Sequence, residues 1–153
     1  MKEKFRKIIQ SIEAKYDQLA KTKPFILKSF PANLPRKGIY LFSESKIFLY
    51  VGRSSNISNR LRYHVGYGHN QATFAFLLAR EATGKQKPTY KKEGSRAELL
   101  KEPQFKKAFD DARKRIGNMK VRIIEELDPT QQALLEIYTA YVAKTKYNSF
   151  ENS

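Results

Sequence analysis

The chain has 153 residues, no cysteine, and 30 Lys and Arg against 15 Asp and Glu. That length supports one domain with a core that needs neither disulfides nor structural zinc, and no window approaches the roughly 18 to 20 apolar residues that cross a bilayer. A charge of +15 excludes an acidic or balanced surface and favours a polyanionic partner, nucleic acid being the commonest.

The excess is uneven. Residues 1 to 66 carry 14 basic and 4 acidic side chains, and the remainder 16 and 11. The N-terminus, MKEKFRKIIQSIEAKYDQLAK, is charged throughout and lacks the apolar block of a signal peptide, so a cytoplasmic location is expected.

From about residue 3 to 21, Phe5, Ile8, Ile9, Ile12, Tyr16 and Leu19 recur at helical spacing, which predicts a packing helix. Pro24, Pro31 and Pro35 punctuate the connector, where Phe25 to Phe30 is expected as a short edge strand.

Gly38 to Val51 reads as two antiparallel strands. With a three-residue turn at Glu44-Ser45-Lys46, Tyr40 stands directly opposite Tyr50 and both phenols leave one face. That register places Phe42 and Phe48 beside the tyrosines, with Ile39, Leu41, Ile47, Leu49 and Val51 on the other face. A turn one residue different would separate the tyrosines. Gly52 permits a sharp turn or a close approach. Ser54, Ser55 or Asn56 can cap a helix from about Ile57 to Val65, on which Arg60 and His64 share a face.

Gly66 to Asn70 reads as a turn in which His69 is more simply a solvated side chain than a ligand. Residues 72 to 82 form an apolar helical pattern. A polar segment with Lys91, Lys92 and Arg96 follows, then residues 95 to 116 as helix, broken near Pro103. Met119 to Leu127 is the third strand. Pro129 to about Lys144 is the last helix, capped by Asp128 and expected to bury Leu134, Ile137, Tyr138, Tyr141 and Val142. At about 100° per residue Glu136 falls beside Ala133 and Ala140, at the edge of that stripe.

The order of these residues resembles the GIY-YIG nucleases: GIY at Gly38 to Tyr40, YVG at Tyr50 to Gly52, Arg60 eight residues later, then His64, Glu136 and Asn148. Val51 stands in place of the isoleucine of the family's name. The resemblance implies an α/β (α+β) domain over 1–153, with a small three-stranded mixed or antiparallel sheet flanked by helices. The N-terminal helix and a helical segment at about 85 to 117 are additions to it.

It also implies a divalent-metal-dependent DNA endonuclease. Glu136 would be the metal ligand, a hard oxygen donor for one Mg²⁺ or Mn²⁺. Arg60 would hold the scissile phosphate through its fork of donors. Tyr40 or Tyr50, with His64, would take the proton from water; a free phenol titrates near pH 10, so this requires a nearby cation. Asn148 would orient the site through its amide.

Singly, each residue has a plainer reading: strand tyrosines, a solvated arginine, a satisfied histidine, an exposed helix glutamate, a helix-ending asparagine. Their order is what gives the set weight. The alternative is a catalytically inactive module that binds nucleic acid on the same scaffold, with DNA expected over RNA and no membrane partner. One site per chain implies a monomer, or a transient dimer when both strands are cut.

Overall fold

The computed structural model describes residues 2–66, 72–85 and 96–149. His69, Lys91 and Lys92 lie outside the described residues. The architecture is α+β. Three strands, β1 (Gly38–Glu44), β2 (Ile47–Ser54) and β3 (Lys120–Glu125), form one open antiparallel sheet in the order β2-β1-β3. Six α-helices are found among the described residues: α1 (Glu3–Lys21), α2 (Ile57–Val65), α3 (Thr73–Thr83), α4 (Arg96–Leu100), α5 (Pro103–Gly117) and α6 (Pro129–Ala143). No described helix is long and apolar enough to cross a membrane.

The chain divides into two compact units, Met1–Ser58 with Met119–Ser153, and Asn59–Asn118. In the first, α1 and α6 cover one face of the sheet. Ile12 and Leu19 of α1 and Leu135 and Ala140 of α6 close over Ile39, Leu41 and Val51. Tyr16 and Tyr138 join the two helices edge to face, with ring centroids 5.6 Å apart. Burial, with Tyr138 and Asp17 nearby, raises the Tyr16 phenol above its ordinary pKa.

The hairpin differs from the expected register in two ways that offset one another. Its turn has two residues, Ser45 and Lys46, both at positive φ (51° and 66°), the conformation that matches the right-handed twist of the flanking strands. A bulge between Phe42 and Ser43 on β1 and the facing β2 residues then shifts the pairing by one. Tyr40 consequently faces Gly52, and Phe42 faces Tyr50. An offset of two residues keeps both phenols on one side of the sheet. Phe48 moves to the other side, packing against the Leu41 cluster with Arg122 5.8 Å from its ring centre.

Both sheet edges are covered. On β3, Phe25 exchanges both backbone bonds with Val121, at 3.0 and 2.7 Å. The expected Phe25–Phe30 strand is reduced to that single bridge, because the chain turns into a 3-10 segment at Leu27–Ser29. On β2, the Tyr147 N–H donates to the Leu49 carbonyl at 2.9 Å, and Asn148 follows it onto the strand. These contacts occupy backbone groups that would otherwise template a further strand.

In α6 the inward stripe also differs from the expectation. Leu135, Thr139, Ala140 and Gln132 are buried, while Ile137, Val142 and above all Tyr141, 85% exposed, face outward. Of the two buried polar residues Gln132 is bonded: its Nε2 donates to the Glu126 carbonyl at 2.6 Å, closing the turn from β3 into α6. Asp128 caps α6 by accepting from the Gln131 N–H, and Pro129 opens its first turn.

The second unit is built on aromatic packing. Phe76 of α3 meets Phe109 and Phe105 of α5 at 4.7 and 5.8 Å between ring centres. Arg96 lies over Phe76 and Arg113 over Phe109. The break expected near Pro103 is present: α4 and α5 are parted between Leu100 and Pro103, since proline cannot donate the bond that would continue α4. Asp110 would be raised by burial, but hydrogen bonds from Arg113 and Lys106 hold it below the usual carboxylate range. Burial, with Arg96 nearby, lowers Arg80.

Candidate active site

Tyr40, Tyr50, Glu136 and Asn148 all belong to the first unit, where Tyr40 and Tyr50 share one face of the sheet, and Glu136 meets, from the α6 side, a residue that sequence reasoning did not single out, Arg53. The geometry starts at Gly52. A Cβ built there would collide with the hydroxyl oxygen and Cζ of Tyr40 and stand 2.8 Å from its Cε2, so the hydroxyl end of the ring fills the space a side chain at 52 would take. The hairpin register makes this unavoidable, because cross-strand partners on one face have side chains only about 5 Å apart. Glycine at 52 is therefore the seat of the phenol. Tyr40 is buried, and its ring is braced edge to face by Phe42 at 5.8 Å. Tyr50, diagonal to it, is half-buried.

Asn148 holds the strand that carries this seat. Its Oδ1 accepts from the Val51 N–H at 2.8 Å and its Nδ2 donates to the Val51 carbonyl at 2.9 Å. The side-chain amide thus pairs with Val51 as a backbone peptide of a fourth strand would. Asn148 thereby grips the Tyr50-Val51-Gly52 backbone at its middle residue.

Glu136 lies on α6, which packs on β2. Its Oε1 stands 4.0 Å from Nε of Arg53, with side chains 23% and 43% exposed. Arg53 directly follows Gly52, so the carboxylate's cationic partner and the phenol's seat are adjacent residues of one strand. Arg53 has a signal in retrospect: a cation immediately after YVG. A lone exposed arginine at a strand end otherwise reads as solvated surface.

Among the described residues no group of three or more His, Asp or Glu side chains gathers into a metal-binding cluster. A single partly exposed carboxylate suits a cation that keeps most of its water, as Mg²⁺ does. Its ion pair with Arg53 is long and solvated, a type worth about 0–1 kcal/mol, so replacing the guanidinium costs little. The donor chemistry of Glu136 therefore fits one hydrated divalent ion.

Arg60 and His64 belong to the second unit, one turn apart on α2. His64 is fully buried, with its ring edge-on to Phe74 at 6.4 Å. Burial first, and the Arg60 charge second, push its pKa down to about 3. It is a neutral imidazole throughout the physiological range and a weak base.

Two depressions in the first unit are lined by cations. One, of about 430 Å³, lies where β1 begins and β2 ends, between Lys37, Arg53, Ser54, Ser55 and the first turns of α6. The other, of about 150 Å³, lies at the opposite end of the sheet between Lys46, Lys120 and Arg122. Neither has an acidic side chain in its wall. No protein-family model, curated protein or solved structure matches the chain.

Proposed function

We propose that the protein is a divalent-metal-dependent endonuclease that hydrolyses DNA phosphodiester bonds through a GIY-YIG-type site. The observation that carries the reading is the placement of Tyr40 across Gly52 with the Arg53–Glu136 pair at the next residue. A phenol, a guanidinium and a carboxylate are the groups that phosphodiester hydrolysis needs for proton transfer and charge stabilisation, and the seat of the first and the strand residue carrying the second are neighbours on β2. The charge of +15 supports a nucleic-acid partner.

In this reading Tyr40 accepts the proton of the attacking water and Gly52 sets where its hydroxyl stands. Asn148 keeps the strand from moving under it. Glu136 holds one Mg²⁺ or Mn²⁺, which when bound supplies Lewis-acid stabilisation of the phosphate's developing charge. Arg60 and His64 are tested by substitution. DNA is the expected substrate ahead of RNA, and the cytoplasm the expected location.

One observation favours the second reading, a nucleic-acid-binding module without catalysis: Tyr40 is only 1% exposed, which limits access of water to its hydroxyl. A single assay divides the two. Supercoiled plasmid is incubated with the protein and Mg²⁺ or Mn²⁺, beside Glu136→Ala, Tyr40→Phe and Arg60→Ala. Tyr40→Phe keeps the ring on Gly52 and removes only the hydroxyl. Metal-dependent nicking by the parent, lost in Glu136→Ala and reduced at least 100-fold in Tyr40→Phe, supports the enzyme, general acid–base catalysis contributing about 10²–10⁴. Retained DNA binding without any metal-dependent cutting overturns it in favour of the module.

A further inference from the structure

Arg53 stands at two places at once. Its Nε faces Glu136 at 4.0 Å, and its side chain also lines the 430 Å³ depression with Lys37, Ser54, Ser55 and Gln132. The wall of that depression combines two cations, two hydroxyls and a primary amide. Ser54 Oγ accepts from the Asn56 N–H at 2.9 Å, which leaves its own proton to donate. Gln132 is fixed in position by its bond to the Glu126 carbonyl. Lys37 precedes β1 and its backbone carbonyl accepts from Glu126 N–H at 3.0 Å, which anchors the stem of that cation as well. A set of donors with positive charge and no carboxylate is complementary to a tetrahedral oxyanion of the phosphate class.

We propose that this depression binds a backbone phosphate of the nucleic acid beside the cleaved one, and that Arg53 is a latch between it and Glu136. Without a divalent cation the guanidinium neutralises the Glu136 carboxylate. When a cation takes the carboxylate, the guanidinium is released to the phosphate held by Lys37, Ser54 and Ser55. Cation and DNA therefore bind with positive coupling, and by linkage each strengthens the other by the same factor. The inference rests on the nuclease reading for the cation at Glu136, but its phosphate site does not require cutting.

The experiment is fluorescence anisotropy with an end-labelled DNA duplex, in EDTA and in Ca²⁺, with strand integrity checked on a denaturing gel and folding checked by circular dichroism. Divalent cations also compete for DNA, so each Ca²⁺ effect is taken relative to Arg53→Gln. On that scale the parent binds two- to fivefold tighter in Ca²⁺, the factor set by an exposed ion pair. Glu136→Gln binds tighter by the same factor in EDTA and no longer responds to Ca²⁺. In the Arg53→Gln background, Glu136→Gln changes nothing.

An equal gain from Glu136→Gln with and without Arg53 would mean only that a negative charge had been removed, and overturns the latch. Unchanged affinity and salt dependence in Lys37→Gln overturns the phosphate site. Coupling in a protein that does not nick plasmid leaves the latch standing and removes the nuclease reading, whereas nicking without coupling does the reverse.

Discussion

Replacing Gly52 by alanine tests the central geometry most directly. The added Cβ would overlap the hydroxyl oxygen and Cζ of Tyr40 and stand 2.8 Å from Cε2, where carbon–carbon contacts are most favourable at about 3.5–4.0 Å. The ring must withdraw by about 1 Å. It has little room, being 1% exposed and braced by Phe42. Overpacking of this kind costs about 1–3 kcal/mol. For a chain of 153 residues each kcal/mol lowers Tm by about 2–4 °C. The protein has no tryptophan, so urea unfolding is best followed by circular dichroism. Because the contact is with one side chain, the penalty should vanish when that side chain is shortened. In a Tyr40→Ala background, Gly52→Ala should cost less than about 0.5 kcal/mol, leaving a coupling of at least about 0.5 kcal/mol between the two sites. An equal cost in both backgrounds would show that Gly52 serves the strand backbone and is not the seat of the phenol. Any nicking activity should fall further than stability does, since the hydroxyl moves with the ring.

Asn148→Ala removes both bonds to Val51 and should cost about 1–3 kcal/mol, with faster hydrogen exchange at the Val51 amide. Asn148→Asp should be worse than alanine, because it keeps the acceptor for the Val51 N–H but turns a carboxylate oxygen toward the Val51 carbonyl; equal stability of the two variants would contradict the pairing. His64, with a pKa of about 3 in the fold and 6.5 when unfolded, favours the native state fully above pH 6.5, and that contribution is lost as pH falls toward 3. Between pH 7 and 5 its share of the loss is about 2 kcal/mol, which should be absent in His64→Phe, and its imidazole resonances should stay in the neutral form at pH 5. DNA affinity should fall linearly in a plot of log K against log salt, and Lys37→Gln should make that slope shallower by about 1 while weakening all sequences alike.

The strands of the hairpin were legible from the Gly38 to Gly52 pattern, and so was the sharing of one face by Tyr40 and Tyr50. The route to that face was not. Ser45-Lys46 lacks the glycine or asparagine that marks a turn with two positive φ values, and a bulge leaves no trace in hydropathy. Either feature alone would have put the phenols on opposite faces; together they restore the parity and carry Phe48 across instead. Gly52 was visible as a residue needing close approach, but its partner depended on that register.

Helix α6 shows a different limit. Apolar spacing selected Leu134, Ile137, Tyr138, Tyr141 and Val142; Leu134 and Tyr138 do pack against the core, but the other three face outward and the helix turns Leu135 and Ala140 inward with Gln132 and Thr139. Hydropathy fails where a buried polar group has a bond to make, and Gln132 makes one to the carbonyl that joins β3 to this helix. Glu136 survives the error because it sits at the margin of either stripe, between Leu135 and the outward Ile137. The rotation that exposes Tyr141 is also the one that brings the Glu136 carboxylate over the end of β2, within reach of Arg53. A side chain drawn there by packing meets a cation that follows the tyrosine's glycine, and the candidate site of the first unit is thus a product of how α6 seats on the sheet, which no single stretch of the chain encodes.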